Sequence, residues 1–316
     1  MAVLVSGALL AAVLSRLATA TALERLSSAD LRWLAASALL SGVVLGMRGM
    51  RFSALMQRPD PGAATAAVAA QGFLTRVTPF RLGEFAMPYL LGRYAGEDAG
   101  HTLVALLLVR LIDLCLISGA GTVGAIAFAG PSQAWQGGAA ALLVALALLL
   151  FGFRSWLRLG TSLAMRVATA VGLARIPAVA RTGARLEEML ANMAGLTRGQ
   201  HVSVAAWSIG IFVVQTVLLG MLPRAFGVQL EPLQLLIGAS IAQIGAALPI
   251  ASVGSFGTLE VAWVAGFVWV GVAEDDAIVT AVAAQVLTLG YSAVFAGLCW
   301  LYLDRRGRSP ERAPAR

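Results

Sequence analysis

The chain has 316 residues, of which 59% are hydrophobic and only 12% charged, with a mean hydropathy of +0.83. A water-soluble domain carries about 25% charged residues to solvate its surface, so a soluble globule of this size is excluded and the bilayer is the solvent. The formal net charge is +7, and all 23 basic residues are Arg, because no Lys is present. Guanidinium forks suit phosphate headgroups, whereas GC-rich codon usage would produce the same bias, and the two readings stand side by side. A basic chain of this kind suits anionic lipid surfaces, and nothing in it suggests a nucleic-acid partner.

Ten hydrophobic segments follow in chain order, near 2–15, 33–47, 62–79, 84–95, 101–129, 134–153, 201–222, 233–250, 257–273 and 277–303. The first run lacks a preceding positive charge and is interrupted by Arg16, so a retained helix is expected despite the small-residue stretch at Ala18–Ala20. Segments 62–79 and 84–95 meet at Thr78-Pro79-Phe80-Arg81-Leu82-Gly83-Glu84, and 233–250 ends at Pro249 before a Gly-rich stretch. Pro removes a backbone donor and Gly permits non-helical turns, so each pair is expected to be a re-entrant hairpin or a broken span.

The block from 33 to 129 and the block from 201 to 303 share one order: a helix, a Pro-ended segment, a Gly-containing break followed by Glu, and a long helix. Five segments separate corresponding members, so the second copy would run with opposite orientation, the inverted-repeat pattern of secondary transporters. Between them, 154–200 interleaves seven Arg with apolar residues at helical spacing. Either amphipathic helices at an interface or a plain basic connector would have that pattern. The expected fold is thus all-α: one polytopic membrane helix bundle over 1–303, with a polar tail at 304–316.

Short cytoplasmic loops are enriched in Arg. The stretches 48–58 (Arg48, Arg51, Arg58) and 154–200 and the tail after Leu303 are therefore assigned to the cytoplasm. The acidic Glu274-Asp275-Asp276 loop and the loop at 130–133 are assigned to the outside.

Charge at membrane depth marks function by default. Glu84 and Glu260, each beside broken backbone, are candidates for substrate contact, the alternative being structural ion pairs with Arg81 or Arg110. Arg110 and Asp113, three apart on one helix face, are expected to pair, either as a packing staple or to aim Arg110 at a phosphate. Arg76 is a further headgroup candidate. Gln71, Gln243 and Gln285 are expected to bond between helices, and Gly42 and Gly46 to mark close helix packing. His101 and His201 stand without companions, Cys115 and Cys299 lie in apolar runs, and no Walker motif occurs; no metal, cofactor or ATP site is expected.

The PFRLGE run at 79–84, the RLID run at 110–113 and LPIASVGSFGTLE at 248–260 resemble the membrane region of bacterial lysylphosphatidylglycerol synthases and related flippase-like proteins. Pro79, Arg81, Gly83, Glu84, Arg110, Asp113, Pro249, Gly254, Gly257, Thr258 and Glu260 match that pattern in order. The resemblance implies a bacterial inner-membrane protein that moves a phosphate-containing lipid between leaflets. It further implies that Arg81, Glu84, Arg110, Asp113, Thr258 and Glu260 meet the substrate, with Pro79, Gly83, Pro249, Gly254 and Gly257 at the backbone breaks. The short stretch after Leu303 has no room for the synthases' aminoacyl transferase domain, so synthase activity is not expected. An intramembrane enzyme acting on a lipid-linked substrate, and a non-transporting partner of a lipid-modifying enzyme, remain alternatives.

Overall fold

A computed structural model describes residues 29–129, 133–171, 198–247 and 258–307, which are helical apart from short connections. In chain order the helices are α1 (Leu31–Ser53), α2 (Pro61–Val77), a 3-10 segment (Pro79–Phe85), α3 (Ala86–Ala95), α4 (Ala99–Ala129) and α5 (Gln133–Phe151). They continue as α6 (Phe153–Ala170), α7 (Arg198–Ala225), α8 (Pro232–Ala247), α9 (Thr258–Trp269) and α10 (Glu274–Gly307). The expected first segment, 2–15, lies outside the described residues.

Helix lengths sort the elements. At 1.5 Å per residue, α1, α4, α7 and α10 run about 35 to 51 Å, beyond the roughly 30 Å of a hydrocarbon core. These four are apolar enough to span a membrane. By the same rise α3, α8 and α9 reach only about 15 to 24 Å and cannot cross alone. They belong to two hairpins, α2–α3 and α8–α9.

The turn of the first hairpin is fixed by its sequence. Pro79 stops α2, and Thr78 ties the two sides together. Its hydroxyl donates to the Leu74 carbonyl at 2.6 Å and accepts from the Gly83 N–H at 2.9 Å. Gly83 is required there, since a Cβ would stand 2.1 Å from the Thr75 nitrogen. Helix starts are capped by acidic side chains, Asp30 accepting from Arg32 N–H and Asp60 from Ala63 N–H.

Contacts at the helix ends give the hairpins opposite entry faces. Gln200 at the start of α7 donates to the Ala54 carbonyl, Arg306 at the end of α10 pairs with Asp60, and Glu97 accepts from the Arg58 N–H. The 54–60 and 96–98 connections, the start of α7 and the end of α10 thus share one face, from which α2–α3 enters. At the other face the Asp30 N–H donates to the Ala225 carbonyl, Arg224 lies over the Trp33 ring, and Phe128 stacks near Trp269. From that face α8–α9 enters.

Two apolar cores result. One gathers Phe52, Leu55, Met87, Leu91 and Val109 around the Ala-rich α2, whose residues Ala63, Ala64, Ala66 and Ala67 are buried. The other gathers Leu218, Leu222, Ile237, Trp263 and Phe267 around α8–α9. Small side chains allow helices to approach closely where no water drives them together. On α1 that approach is at Gly49, against Thr65 of α2, while Gly46 faces open space and Gly42 meets only the Phe295 ring. The expected close packing of Gly42 and Gly46 is thus displaced along the helix. Large apolar side chains such as Leu39, Val213, Val294 and Leu298 stand exposed on the long helices, as lipid-facing residues do.

Helix α6 differs in kind. Trp156, Leu159, Leu163 and Val167 form an exposed apolar stripe at helical spacing, with Arg154 and Arg158 at positions on the opposite side. It packs on α5. The start of the 154–200 stretch is thus an amphipathic helix, whereas Leu186, Met189, Leu190, Met193 and Leu196, whose spacing suggested such helices, fall in 172–197, outside the described residues.

Candidate functional site

Between the two cores lies a cavity of about 350 Å³. All four long helices and both hairpins line it, near the midpoints of α4 and α7. Its polar wall carries four arginines, Arg48 and Arg51 from α1, Arg76 from α2 and Arg110 from α4.

Each cation is held by partners from other elements, and α7 contributes to two of them. Arg51, only 2% exposed, donates from Nη1 and Nη2 to both carboxylate oxygens of Asp113 at 2.5 and 3.0 Å, and from Nη1 to the Ser208 hydroxyl at 3.0 Å. Arg48 donates to the Gln215 amide oxygen at 2.6 Å and Arg76 to the Thr288 hydroxyl at 3.3 Å. Arg110 pairs with Glu84 at 3.1 Å and keeps 43% of its side chain accessible. The cavity thus grades from a closed end at Arg51–Asp113 to an accessible one at Arg110.

A charge at bilayer depth costs about 2.5 to 3.5 kcal/mol even on the mildest scale, so four guanidinium groups need compensation. Asp113 and Glu84 neutralise two of them. With Arg48, Arg51, Arg76 and Arg110 on one wall, the cavity has a basic lining.

Three further polar atoms on the wall are left without a hydrogen bond. Gln71 Nε2 and Thr75 Oγ1 on α2 and Gln243 Nε2 on α8 are buried and have no hydrogen-bond partner, and all three residues line the cavity. Gln71 is 5% exposed and Thr75 9%. Native proteins rarely leave such groups unmatched, and those that do invite an explanation in function.

Several expectations are corrected here. Arg110 and Asp113 do not pair; their shared face lets α4 reach two partners, Glu84 below and Arg51 across, rather than close on itself. Arg48 and Arg51 do not belong to a cytoplasmic loop, because α1 continues through Ser53 and carries both into the bundle. Gln71 and Gln243 face the cavity instead of bonding between helices through their amide nitrogens.

Glu84 meets Arg110, one of the two partners foreseen for it. Arg76, the further candidate, lines the cavity. Glu260 is 2% exposed in the first turn of α9, off the cavity wall that its neighbours Leu259 and Trp263 line. Thr258 begins that helix, with its hydroxyl buried and unpartnered and likewise off the wall. The side chains of Arg81 and Pro79, and all of Pro249, Gly254 and Gly257, lie outside the described residues.

Sequence reasoning missed Arg48 and Arg51 as site residues. The signal was present: they are three apart, so a helix that did not stop at residue 47 would place them on one face.

No curated protein and no solved structure matches the chain. The family model for the lysylphosphatidylglycerol synthase TM region matches residues 1–297. The chain is an integral membrane protein tied to lipid metabolism or transport, and it belongs to the lysylphosphatidylglycerol synthase TM region family.

Proposed function

We propose that the protein moves a phosphate-bearing lipid between the leaflets of a bacterial inner membrane, its arginine-lined cavity receiving the headgroup while the acyl chains stay in the bilayer. The observation that carries this reading is the cluster of Arg48, Arg51, Arg76 and Arg110 around one cavity between two hairpins that enter from opposite faces. Bidentate guanidinium contacts recognise phosphate, and interrupted segments in the two halves of a transporter are where substrates bind.

The packing supports an alternating mechanism. Helix α2 of the first half packs on α10 of the second, α8 of the second packs on α4 of the first, and α1 packs on α7. In our reading this reciprocity reflects an inverted repeat. A rocking of one half against the other would then expose the same cavity to each leaflet in turn. Neither His nor Cys lines the cavity among the described residues, which favours carriage over chemistry on the lipid.

The test is translocation of fluorescent phospholipids in proteoliposomes by wild type, Arg48→Gln, Arg76→Gln and Arg110→Gln. Each variant is expected to slow translocation at least about tenfold, the effect of losing one charge-assisted hydrogen bond, with its melting temperature little changed. Normal rates in all three would sink the headgroup site. Mass spectrometry of the same lipids separates the rivals: altered lipid mass indicates an enzyme, whereas unmoved and unaltered lipid indicates a partner of one.

A further inference from the structure

We propose that Glu97 and His101 together bind one proton, and that this proton tightens a clamp at the foot of the α2–α3 hairpin. The pair lies apart from the arginine-lined cavity, and the proposal does not depend on what that cavity carries.

The clamp joins two connections. Gly96, in the left-handed region at φ 68°, ends α3, and the Glu97 N–H folds back onto the Leu91 carbonyl. Asp98 then starts α4 by accepting from the Gly100 and His101 N–H groups. From this turn both side chains reach the 54–60 connection. Glu97 Oε1 accepts from the Arg58 N–H at 2.8 Å, and His101 Nε2 lies 2.8 Å from the Leu55 carbonyl oxygen. A carbonyl only accepts, so Nε2 is the donor. Two titratable side chains thus tie the connection that enters the hairpin to the turn that leaves it.

The other polar atom of each is idle. Glu97 is 5% exposed and His101 7%, and Glu97 Oε2 and His101 Nδ1 are buried without a hydrogen bond. Both residues line one pocket with Phe52, Leu55, Leu91 and Ala105, and it leaves no room for a water molecule. With Nε2 donating, a neutral His101 has a lone pair at Nδ1, and an ionised Glu97 has lone pairs at Oε2. Two acceptors in a dry apolar pocket cannot satisfy each other. One proton from the aqueous face resolves the conflict, held as O–H···N or as carboxylate and imidazolium once the side chains turn together.

Other charged groups around the clamp have different roles. Asp60 caps α2 and pairs with Arg306, Arg93 donates to the Tyr89 hydroxyl, and Arg51 pairs with Asp113. Tyr94 packs against the first core, Arg58, Arg198 and His201 are exposed, and Asp304 and Arg305 lie on the last turns of α10. None of these reaches Glu97 Oε2 or His101 Nδ1 with a hydrogen bond. By linkage, a proton bound in the tightened clamp and not in the loosened one makes acid tighten it and rising pH release it. Because α2 brings Gln71, Thr75 and Arg76 to the cavity, the clamp would restrain the movement of that wall.

The chain has two histidines, so two ring signals are expected from histidine-labelled full chain in nanodiscs, and His201→Gln assigns them. The titration runs from about pH 8 to about 5.5, the span in which an imidazole ordinarily gains its proton. His101 should take up a proton in that span, and Glu97→Gln should weaken its proton affinity at least about tenfold while leaving His201 unchanged. Hydrogen exchange of the 54–58 amides, corrected for the intrinsic effect of pH, should slow as His101 protonates. It should lose that response in His101→Gln, whose amide keeps a donor for the Leu55 carbonyl. A His101 that stays neutral throughout, or that titrates identically in Glu97→Gln, would overturn the shared proton. The wild type alone decides the clamp: exchange at 54–58 that ignores the His101 titration would overturn it, however the variants fold.

Discussion

The arginines of the cavity differ in what they would cost to lose. Arg51 and Asp113 form a buried pair, and removing one partner leaves an uncompensated charge, an effect of about 3 to 5 kcal/mol. Asp113→Asn is therefore expected to lower the unfolding temperature sharply, whatever it does to transport. Glu84→Gln should behave differently. Its pair with Arg110 is partly exposed, where ion pairs contribute about 0 to 1 kcal/mol, so stability should hold while lipid movement falls. Thermal denaturation and translocation, measured side by side for the two variants, check this; equal losses of stability would assign both pairs to structure alone. The contrast was only half legible in the sequence. Glu84 and Arg110 could be paired because both interrupt apolar runs. The Arg51–Asp113 pair could not, since spacing along one helix suggests the neighbour three residues away and says nothing of a helix that folds across it. Arg48 and Arg51 were hidden for a related reason. An Arg near a helix end looks the same in sequence whether it points into water or into a bundle, and only the packing of α1 on α7 decides.

At the scale of elements, the hairpins were recognisable from Pro, Gly and helix length, and their turns depend on contacts that sequence does not encode. Gly83→Ala would drive a Cβ into the backbone of Thr75 and Leu74, with no flexible side chain to yield. A cost of about 1 to 3 kcal/mol is expected, the range for overpacking, whereas Gly46→Ala, which faces open space, should be neutral or slightly stabilising. Melting temperatures of the two variants provide the comparison, and similar effects would mean that the close approach at Gly83 is not essential. Helix α6 makes a separate prediction. Among the described residues no partner covers Leu159, Leu163 and Val167, and its Arg positions suit anionic headgroups, so it should lie in the membrane interface. A nitroxide at Leu163 should then be relaxed by oxygen dissolved in lipid, and one at Thr169, on the opposite side, by a water-soluble nickel chelate. Equal exposure of both labels to the chelate would leave α6 a solvated connector.

For the whole molecule, the question is which way the bundle sits. The structure brings Arg58, Arg198, Arg305 and Arg306 to one face through the contacts of Gln200 with Ala54 and of Arg306 with Asp60. Arg32 and Arg224 are at the other end, together with the acidic start of α10 at Glu274, Asp275 and Asp276. This co-facing agrees with the loop grouping inferred from Arg content, even though Arg48 and Arg51 drop out of that count by lying inside α1. The bias that remains still favours the Arg-rich face as cytoplasmic, because Arg near helix ends resists translocation and Asp and Glu contribute little. In a variant lacking Cys115 and Cys299, Asp275→Cys should react with an impermeant thiol reagent in intact cells, and Gly307→Cys only after lysis. The assignment matters for mechanism, since it fixes α2–α3 as the hairpin entering from the cytoplasm and α8–α9 as the one entering from outside. It therefore sets which leaflet meets Arg76 and Gln71 first and which meets Gln243. Labelling of Gly307→Cys from outside would invert the bundle and exchange those roles. The cavity and its basic lining would be unaffected, because they depend on how the helices pack and not on which side they face.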